Sequence, residues 1–177
     1  ATESIFSMDG DMADLTKLVE LKRAYNNVML YVDEAHAFGV RGKYGLGCAE
    51  ESGCLRDIDF LVGTFGKAAA SAGAYIVCNR VTREYLVNRM RTLIFTTALP
   101  PINIAWTLFI VRKLPAMQER RQHLARISRL LREALQTKGY DHPSVSHIVP
   151  LIIGASADAV RCAEELQRHG FYALPVR

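Results

Sequence analysis

Two short apolar runs, each leading into a loop of reactive side chains, constrain this chain more than anything else in it. The first, Asn27-Val28-Met29-Leu30-Tyr31-Val32, reads as a buried strand, which puts Asp33 of Asp33-Glu34-Ala35-His36 at its carboxyl end. The second, Phe60-Leu61-Val62-Gly63-Thr64, leads into Phe65-Gly66-Lys67. Continuous apolar runs belong to strands covered on both faces, as in parallel α/β sheets. In such sheets ligands bind at the carboxyl ends of the strands. Taken singly, an aspartate ending a strand is an ordinary cap or turn former, and a Gly-Lys pair is an ordinary solvated turn. In this order, on neighbouring strands, they put a carboxylate and an amine at one sheet edge.

That pair matches the needs of one cofactor. A lysine amine can hold the aldehyde of pyridoxal phosphate as an imine, and the cofactor withdraws electrons only while its pyridine nitrogen stays protonated, which a nearby aspartate secures. His36 fits beside them, because an imidazole can donate to a phenolate and titrates near neutral pH.

Four blocks extend the signal: Glu3-Ser4-Ile5-Phe6-Ser7-Met8-Asp9-Gly10-Asp11, Val32 to Val40, Gly63-Thr64-Phe65-Gly66-Lys67, and Leu93-Ile94-Phe95-Thr96-Thr97-Ala98-Leu99-Pro100-Pro101. In these blocks and their order, over almost its whole length, the chain resembles the α-oxoamine synthases, which are fold-type I pyridoxal-phosphate-dependent acyltransferases. The resemblance is greatest to the 8-amino-7-oxononanoate synthase branch of biotin synthesis. It implies an aspartate-aminotransferase-like α/β fold and a decarboxylative condensation of an amino acid with an acyl-CoA thioester to give an α-amino ketone. L-alanine and a pimeloyl thioester are the implied pair, and the sibling synthases that use glycine or serine are the alternative.

Residue by residue, the resemblance implies that Lys67 carries the cofactor and Asp33 faces its pyridine nitrogen. His36 contacts the phenolic oxygen, with Ser7 approaching it too, and Thr64 binds the phosphate. Thr96 and Thr97 reach the phosphate site of a neighbouring subunit, so a homodimer with a shared active site is expected. Lys67 and His36 are the catalytic candidates. One departure is visible: where many relatives carry glycines after the lysine, this chain has Ala68-Ala69-Ala70-Ser71-Ala72-Gly73, which keeps the residues small but narrows their φ freedom. A subunit that keeps the fold and only supports an active partner is a reading of another class. The presence of Lys67, Asp33 and His36 ranks it below an enzyme.

The resemblance also implies that the 177 residues are a fragment, comprising the later part of a large cofactor-binding domain (1–115) and part of a small carboxyl-terminal α/β domain (116–177), and inactive alone. The ring that stacks on the cofactor and the arginine that binds the substrate carboxylate are expected outside it.

Composition excludes several classes. The net charge of +4 comes from scattered arginines with no basic run interleaved with aromatics, which argues against a nucleic-acid partner. No apolar stretch is long enough to span a bilayer. Cys48, Cys54, Cys78 and Cys162 form neither a disulfide framework nor a metal spacing, which suits a reducing cytoplasm, and Cys78 is expected to be buried. His123, His142, His147 and His169 read as surface or structural residues, and no metal site is expected. The glycine-rich Arg41-Gly42-Lys43-Tyr44-Gly45-Leu46-Gly47 lacks the Lys-Ser ending of a phosphate-binding loop and reads as a connection.

Periodicity predicts helices over 11–26, 81–91, 101–113, 117–138 and 156–169, the third buried and the last capped by Ser156 or Asp158. Pro115 marks the domain boundary and Gly139 closes the long helix. Strands are expected at 27–32, 60–64, 74–78, 147–153 and 171–174. The link between the second and third is too short for a helical crossover, so that pair is antiparallel.

Overall fold

The computed structural model describes residues 1–176, and Arg177 lies outside them. Its centre is a four-stranded mixed sheet in the order β1-β2-β3-β4. Strand β1 (Thr2–Glu3) pairs parallel with β2 (Tyr31–Asp33), in register Thr2 to Val32 and Glu3 to Asp33. On its other side β2 runs parallel to β3 (Phe60–Thr64), with Asp33 opposite Val62. Strand β4 (Ala74–Val77) returns antiparallel to β3, as the short connection requires, with Thr64 opposite Ala74. The carboxyl ends of β2 and β3 therefore lie side by side.

Strand β2 is shorter than its apolar run suggested. Asp59 takes over the preceding residues: its Oδ2 accepts from the Leu30 amide at 2.7 Å, while the Leu30 carbonyl accepts from the Asp59 and Phe60 amides at 3.0 Å each. Helix α1 (Leu15–Ala24) is tied to the same point. Its Lys22 Nζ donates to Asp59 Oδ2 at 2.6 Å, and Asp14 caps its start by accepting from the Lys17 amide at 3.0 Å. Leu15 and Val19 of this helix pack with Ile5, Leu30, Val32, Cys48, Ala49 and Leu61 into the main core. Cys48 and Ala49 come from a one-turn helix, α2 (Cys48–Glu51). Among the described residues, the burial of the Cys48 thiol raises its pKa to about 12, and the Glu34 charge adds to the effect, so the thiol has no reactive character.

The second half is helical. The helix expected over 81–91 forms as α3 (Arg80–Arg89), and extended Met90, with ψ near 100°, separates it from a one-turn helix, α4 (Arg91–Ile94), that was not anticipated. Helix α5 (Pro101–Lys113) starts on its proline as expected, but it is not buried. Ile102, Ile104, Trp106, Leu108 and Phe109 are exposed, and Ile110 packs against a small second core of Phe38, Ala69 and Leu114. A 3₁₀ turn at Leu114–Met117 contains Pro115 and leads into α6 (Gln118–Thr137), which closes at Gly139. Cys78 is half-buried, not buried.

Residues 147–153 form no strand. Serine side chains engage the local backbone that a ladder would need: the Ile148 amide donates to Ser146 Oγ at 3.2 Å, the Ser144 hydroxyl donates to the Ile148 carbonyl, and Arg132 donates to the Ser146 carbonyl. Helix α7 (Ser156–Arg168) forms as predicted, yet neither Ser156 nor Asp158 caps it. Ala155 occupies the cap position, and Asp158 pairs with Arg161. Residues 171–174 also form no strand. The Phe171 amide instead closes α7 by donating to the Leu166 carbonyl at 2.9 Å, and Phe171, Tyr172 and Leu174 are exposed.

Candidate active site

The loop after β2 and the loop after β3 meet at one hydrogen bond: Lys67 Nζ lies 2.9 Å from His36 Nε2. Partial burial lowers the pKa of His36, and the neighbouring Lys67 charge lowers it further, so its ring is neutral near pH 7 and Nε2 can accept from the ammonium. Asp33 ends β2 and folds one oxygen back, Oδ1 accepting from the Ala35 amide at 2.8 Å. This Asx turn sets the direction in which the chain leaves the sheet.

Beneath them sits Glu34, which has no separate role in the reading of the motif. It is fully buried, and its carboxyl group accepts from the Ser4 hydroxyl at 2.6 Å and from the Cys48 and Ala49 amides at 3.0 and 2.7 Å. One side chain thereby joins the β1 end, the Asp33–His36 loop and the start of α2. Gly47 makes the approach possible, because a Cβ there would lie 2.6 Å from the Glu34 carboxyl carbon and its φ is +113°. A second carboxylate directly after the strand end at Asp33 was the available signal, since such a group needs partners when it is buried.

The lysine loop is organised differently. The Phe65 amide donates to the Gly73 carbonyl at 2.9 Å and the Ser71 amide to the Phe65 carbonyl at 2.8 Å, so residues 65–73 form a closed loop. Thr64 Oγ1 donates to the Gly73 carbonyl and accepts from the Gly66 amide, both at 3.1 Å, so this hydroxyl braces the loop. Despite the narrowed φ freedom anticipated after the lysine, Ala70 stands at φ +48°, in the region that favours glycine. Helix α5 supports the loop from outside: Trp106 Nε1 donates to the Ala69 carbonyl at 3.1 Å, and Thr107 Oγ1 donates to Ser71 Oγ at 2.8 Å. Sequence reading missed both residues. Two polar-tipped side chains, adjacent within the apolar stretch Ile104–Val111, were the hint. Beneath the loop, Phe38, Phe65 and Tyr75 pack their rings 5.2–6.0 Å apart, and Gly63 leaves room for Tyr75, whose hydroxyl would lie 2.4 Å from a Cβ there.

The remaining predicted residues lie farther out. Ser7 is exposed in the turn after β1, where the Gly10 amide donates to the Phe6 carbonyl at 3.0 Å. Thr96 and Thr97 are exposed, and Thr96 Oγ1 reaches only the Thr97 carbonyl, at 3.4 Å. Their segment nevertheless lies against the lysine loop, since a Cβ on Gly73 would lie 2.6 Å from Leu99 Cδ1. Among the described residues no group of histidines, cysteines and carboxylates could hold a metal, and no helix is long and apolar enough to cross a membrane.

The donor set suits pyridoxal phosphate: an accessible lysine amine, a carboxylate at the adjacent strand end and a neutral imidazole 2.9 Å from the amine. The chain matches the aminotransferase class I and II family over residues 1–177. It is 58% identical over 177 residues to a Pasteurella multocida (strain Pm70) protein named "Putative 8-amino-7-oxononanoate synthase", with 99% of this chain and 46% of that relative covered. In three dimensions it is similar to a Sphingomonas wittichii serine palmitoyltransferase, with a TM-score of 0.88, 35% identity, and 97% and 43% of the two chains covered. It is also similar to an 8-amino-7-oxononanoate synthase from Francisella tularensis, with a TM-score of 0.83, 28% identity, and 97% and 51% covered. The chain spans about half the length of the curated relatives it matches. With a fold-type I α/β architecture and a family match over its whole length, the chain belongs to the aminotransferase class I and II family of pyridoxal-phosphate-dependent enzymes and resembles the α-oxoamine synthases within it.

Proposed function

We propose that the protein carrying this chain condenses an amino acid with an acyl-CoA thioester, with loss of carbon dioxide, and that L-alanine and a pimeloyl thioester are its substrates. The observation that supports this most directly is the 2.9 Å contact between Lys67 and His36 beside Asp33, at the ends of adjacent parallel strands. When bound, pyridoxal phosphate supplies an electron sink that stabilises negative charge on the α-carbon of the amino acid.

The chain's own residues divide the remaining work. Lys67 is the amine that holds the cofactor aldehyde, and once displaced by substrate its free amine takes the α-proton. Asp33, whose second oxygen is left open by the Asx turn, keeps the pyridine nitrogen protonated. His36 is neutral, so it can donate to the phenolic oxygen from Nδ1 while Nε2 accepts a hydrogen bond from Lys67. Thr64 and the amides of its loop line the phosphate side, with Ser7 at the β1 end. The exposed Thr96-Thr97 segment supports a homodimer in which these hydroxyls serve the neighbouring site. Free cysteines at all four positions support a reducing cytoplasm as its location.

The similarity to a serine palmitoyltransferase keeps a sibling substrate pair as the second reading. Coenzyme A release by the holoenzyme separates the two, with alanine, glycine and serine each offered against a panel of acyl thioesters. Preference for alanine with pimeloyl thioester supports the proposal, preference for another pair transfers it to a sibling, and no release with any pair overturns it.

A further inference from the structure

Against the loop that carries His36, α6 and the serine-rich segment 144–148 enclose a cavity of about 50 Å³. By that measure one water needs about 10–15 Å³, so the space admits a small ion. Its polar lining comes from Arg41, Arg121, Ser128, Arg132, Ser146 and His147. Arg41 is neutralised, with Nε and Nη2 donating to the two Glu51 oxygens at 2.7 and 3.0 Å. The other two guanidinium groups are not. Arg121 is buried and donates to the Leu114 and Lys43 carbonyls at 2.7 and 2.6 Å and to the Gln118 amide oxygen at 2.9 and 3.1 Å. Arg132 donates to the Ser146 carbonyl. Among the described residues neither makes an ion pair with a carboxylate. A buried cation that faces only neutral acceptors keeps much of its desolvation cost.

A second group in the same wall is unpaired. His147 Nδ1 is buried and has no hydrogen-bond partner. Ser128 is occupied, donating to the Leu124 carbonyl at 2.7 Å, whereas the Ser146 hydroxyl only accepts, from the Ile148 amide. The cavity thus presents two uncompensated positive charges, an open hydroxyl hydrogen and an imidazole nitrogen that can carry a proton.

We propose that this cavity binds a small inorganic anion, chloride being the abundant one, between the Arg121 and Arg132 guanidinium groups, the Ser146 hydroxyl and His147 in its Nδ1–H tautomer. A water in the same place would satisfy His147 and leave both charges facing neutral groups, and an anion satisfies all of them. Burial, with His36 and Arg41 nearby, lowers the pKa of His147, so its ring is neutral and the two arginines supply the attraction. Because Val40 and Arg41 belong to the loop that begins at Asp33, the anion would also tie that loop to α6.

The test uses the intact protein crystallised with bromide in place of chloride, with data collected at the bromine absorption edge. The expected result is an anomalous peak within hydrogen-bond distance of Arg132 and His147. In solution, replacing gluconate by chloride at constant ionic strength should raise the unfolding midpoint to a plateau. Arg132→Gln should need about tenfold more chloride for half of that rise. Ala125→Leu, which fills the cavity and removes no polar group, should abolish the rise, and it decides the matter if Arg132→Gln does not fold. An ordered water without anomalous signal overturns the proposal. So does a peak unaccompanied by chloride-specific stabilisation, an adventitious ion only, and so does an undiminished rise in Ala125→Leu.

Discussion

The two loops that meet at Lys67 and His36 are built on opposite principles. The loop after β2 is fixed from below, where the buried Glu34 carboxyl gathers a hydroxyl and two amides from other elements. The loop after β3 closes mainly on itself and is braced from outside by α5, and Lys67 at its apex is exposed. The difference suits their chemistry. A group that only holds a charge or donates a hydrogen bond gains from rigidity, because its geometry is set before the reaction begins. An amine that must bind, release and then carry a proton needs room to move, and an exposed apex provides it.

The largest expected effects distinguish the loops by function. Lys67→Ala should lower holoenzyme turnover by at least about 10³-fold with little change in folding, since the side chain is exposed and, among the described residues, hydrogen-bonds only to His36. Asp33→Asn should keep cofactor binding and lose most turnover. Coenzyme A release and cofactor absorbance measure the two, and unimpaired turnover in either variant would remove the assigned role.

Glu34→Ala is expected to show the reverse pattern, with loss of stability before any loss of chemistry. Removing the carboxyl strands the Ser4 hydroxyl and two amides in a dry interior, a cost of about 3 kcal/mol or more. Denaturant unfolding measures it. A loss below about 1 kcal/mol would mean that the loop after β2 does not depend on its buried acid, and the contrast between the loops would weaken.

Much of this arrangement was legible in the sequence. The strand ends carrying Asp33 and Lys67, their adjacency and the antiparallel β4 follow from the apolar runs and the short connection, because sheet burial and loop length leave few choices. The segment 147–153 misled, because an apolar run reads alike whether a ladder or serine side chains satisfy its backbone. Helix α5 misled for the opposite reason: apolar residues on several sides suggest burial, yet in this chain they remain exposed. The support of the lysine loop by Trp106 and Thr107 was not legible, since it depends on how a helix more than thirty positions away docks, and no local pattern encodes that.

The outside bracing predicts a smaller change. Trp106→Phe keeps most of the ring and removes the hydrogen bond to the Ala69 carbonyl, which should cost about 1 kcal/mol. If the brace matters to the lysine, the variant should also lose cofactor faster on dilution. A stability loss with unchanged cofactor release would limit Trp106 to a packing role.

The smallest expected effect lies inside the lysine loop and asks how much strain a mobile apex carries. Ala70 holds φ +48°, a region that disfavours a side chain by about 1 kcal/mol. Glycine removes that penalty but raises the entropy of the unfolded chain by roughly 0.5–1 kcal/mol, so Ala70→Gly should leave stability within about 0.5 kcal/mol of the parent. Ala69→Gly is the control. Ala69 is a buried residue of the same loop, and losing its methyl group and its backbone restriction should together cost about 1.5 kcal/mol. If the two variants lose the same amount, Ala70 is not a point of strain, and the loop after β3 is held as firmly as the loop after β2.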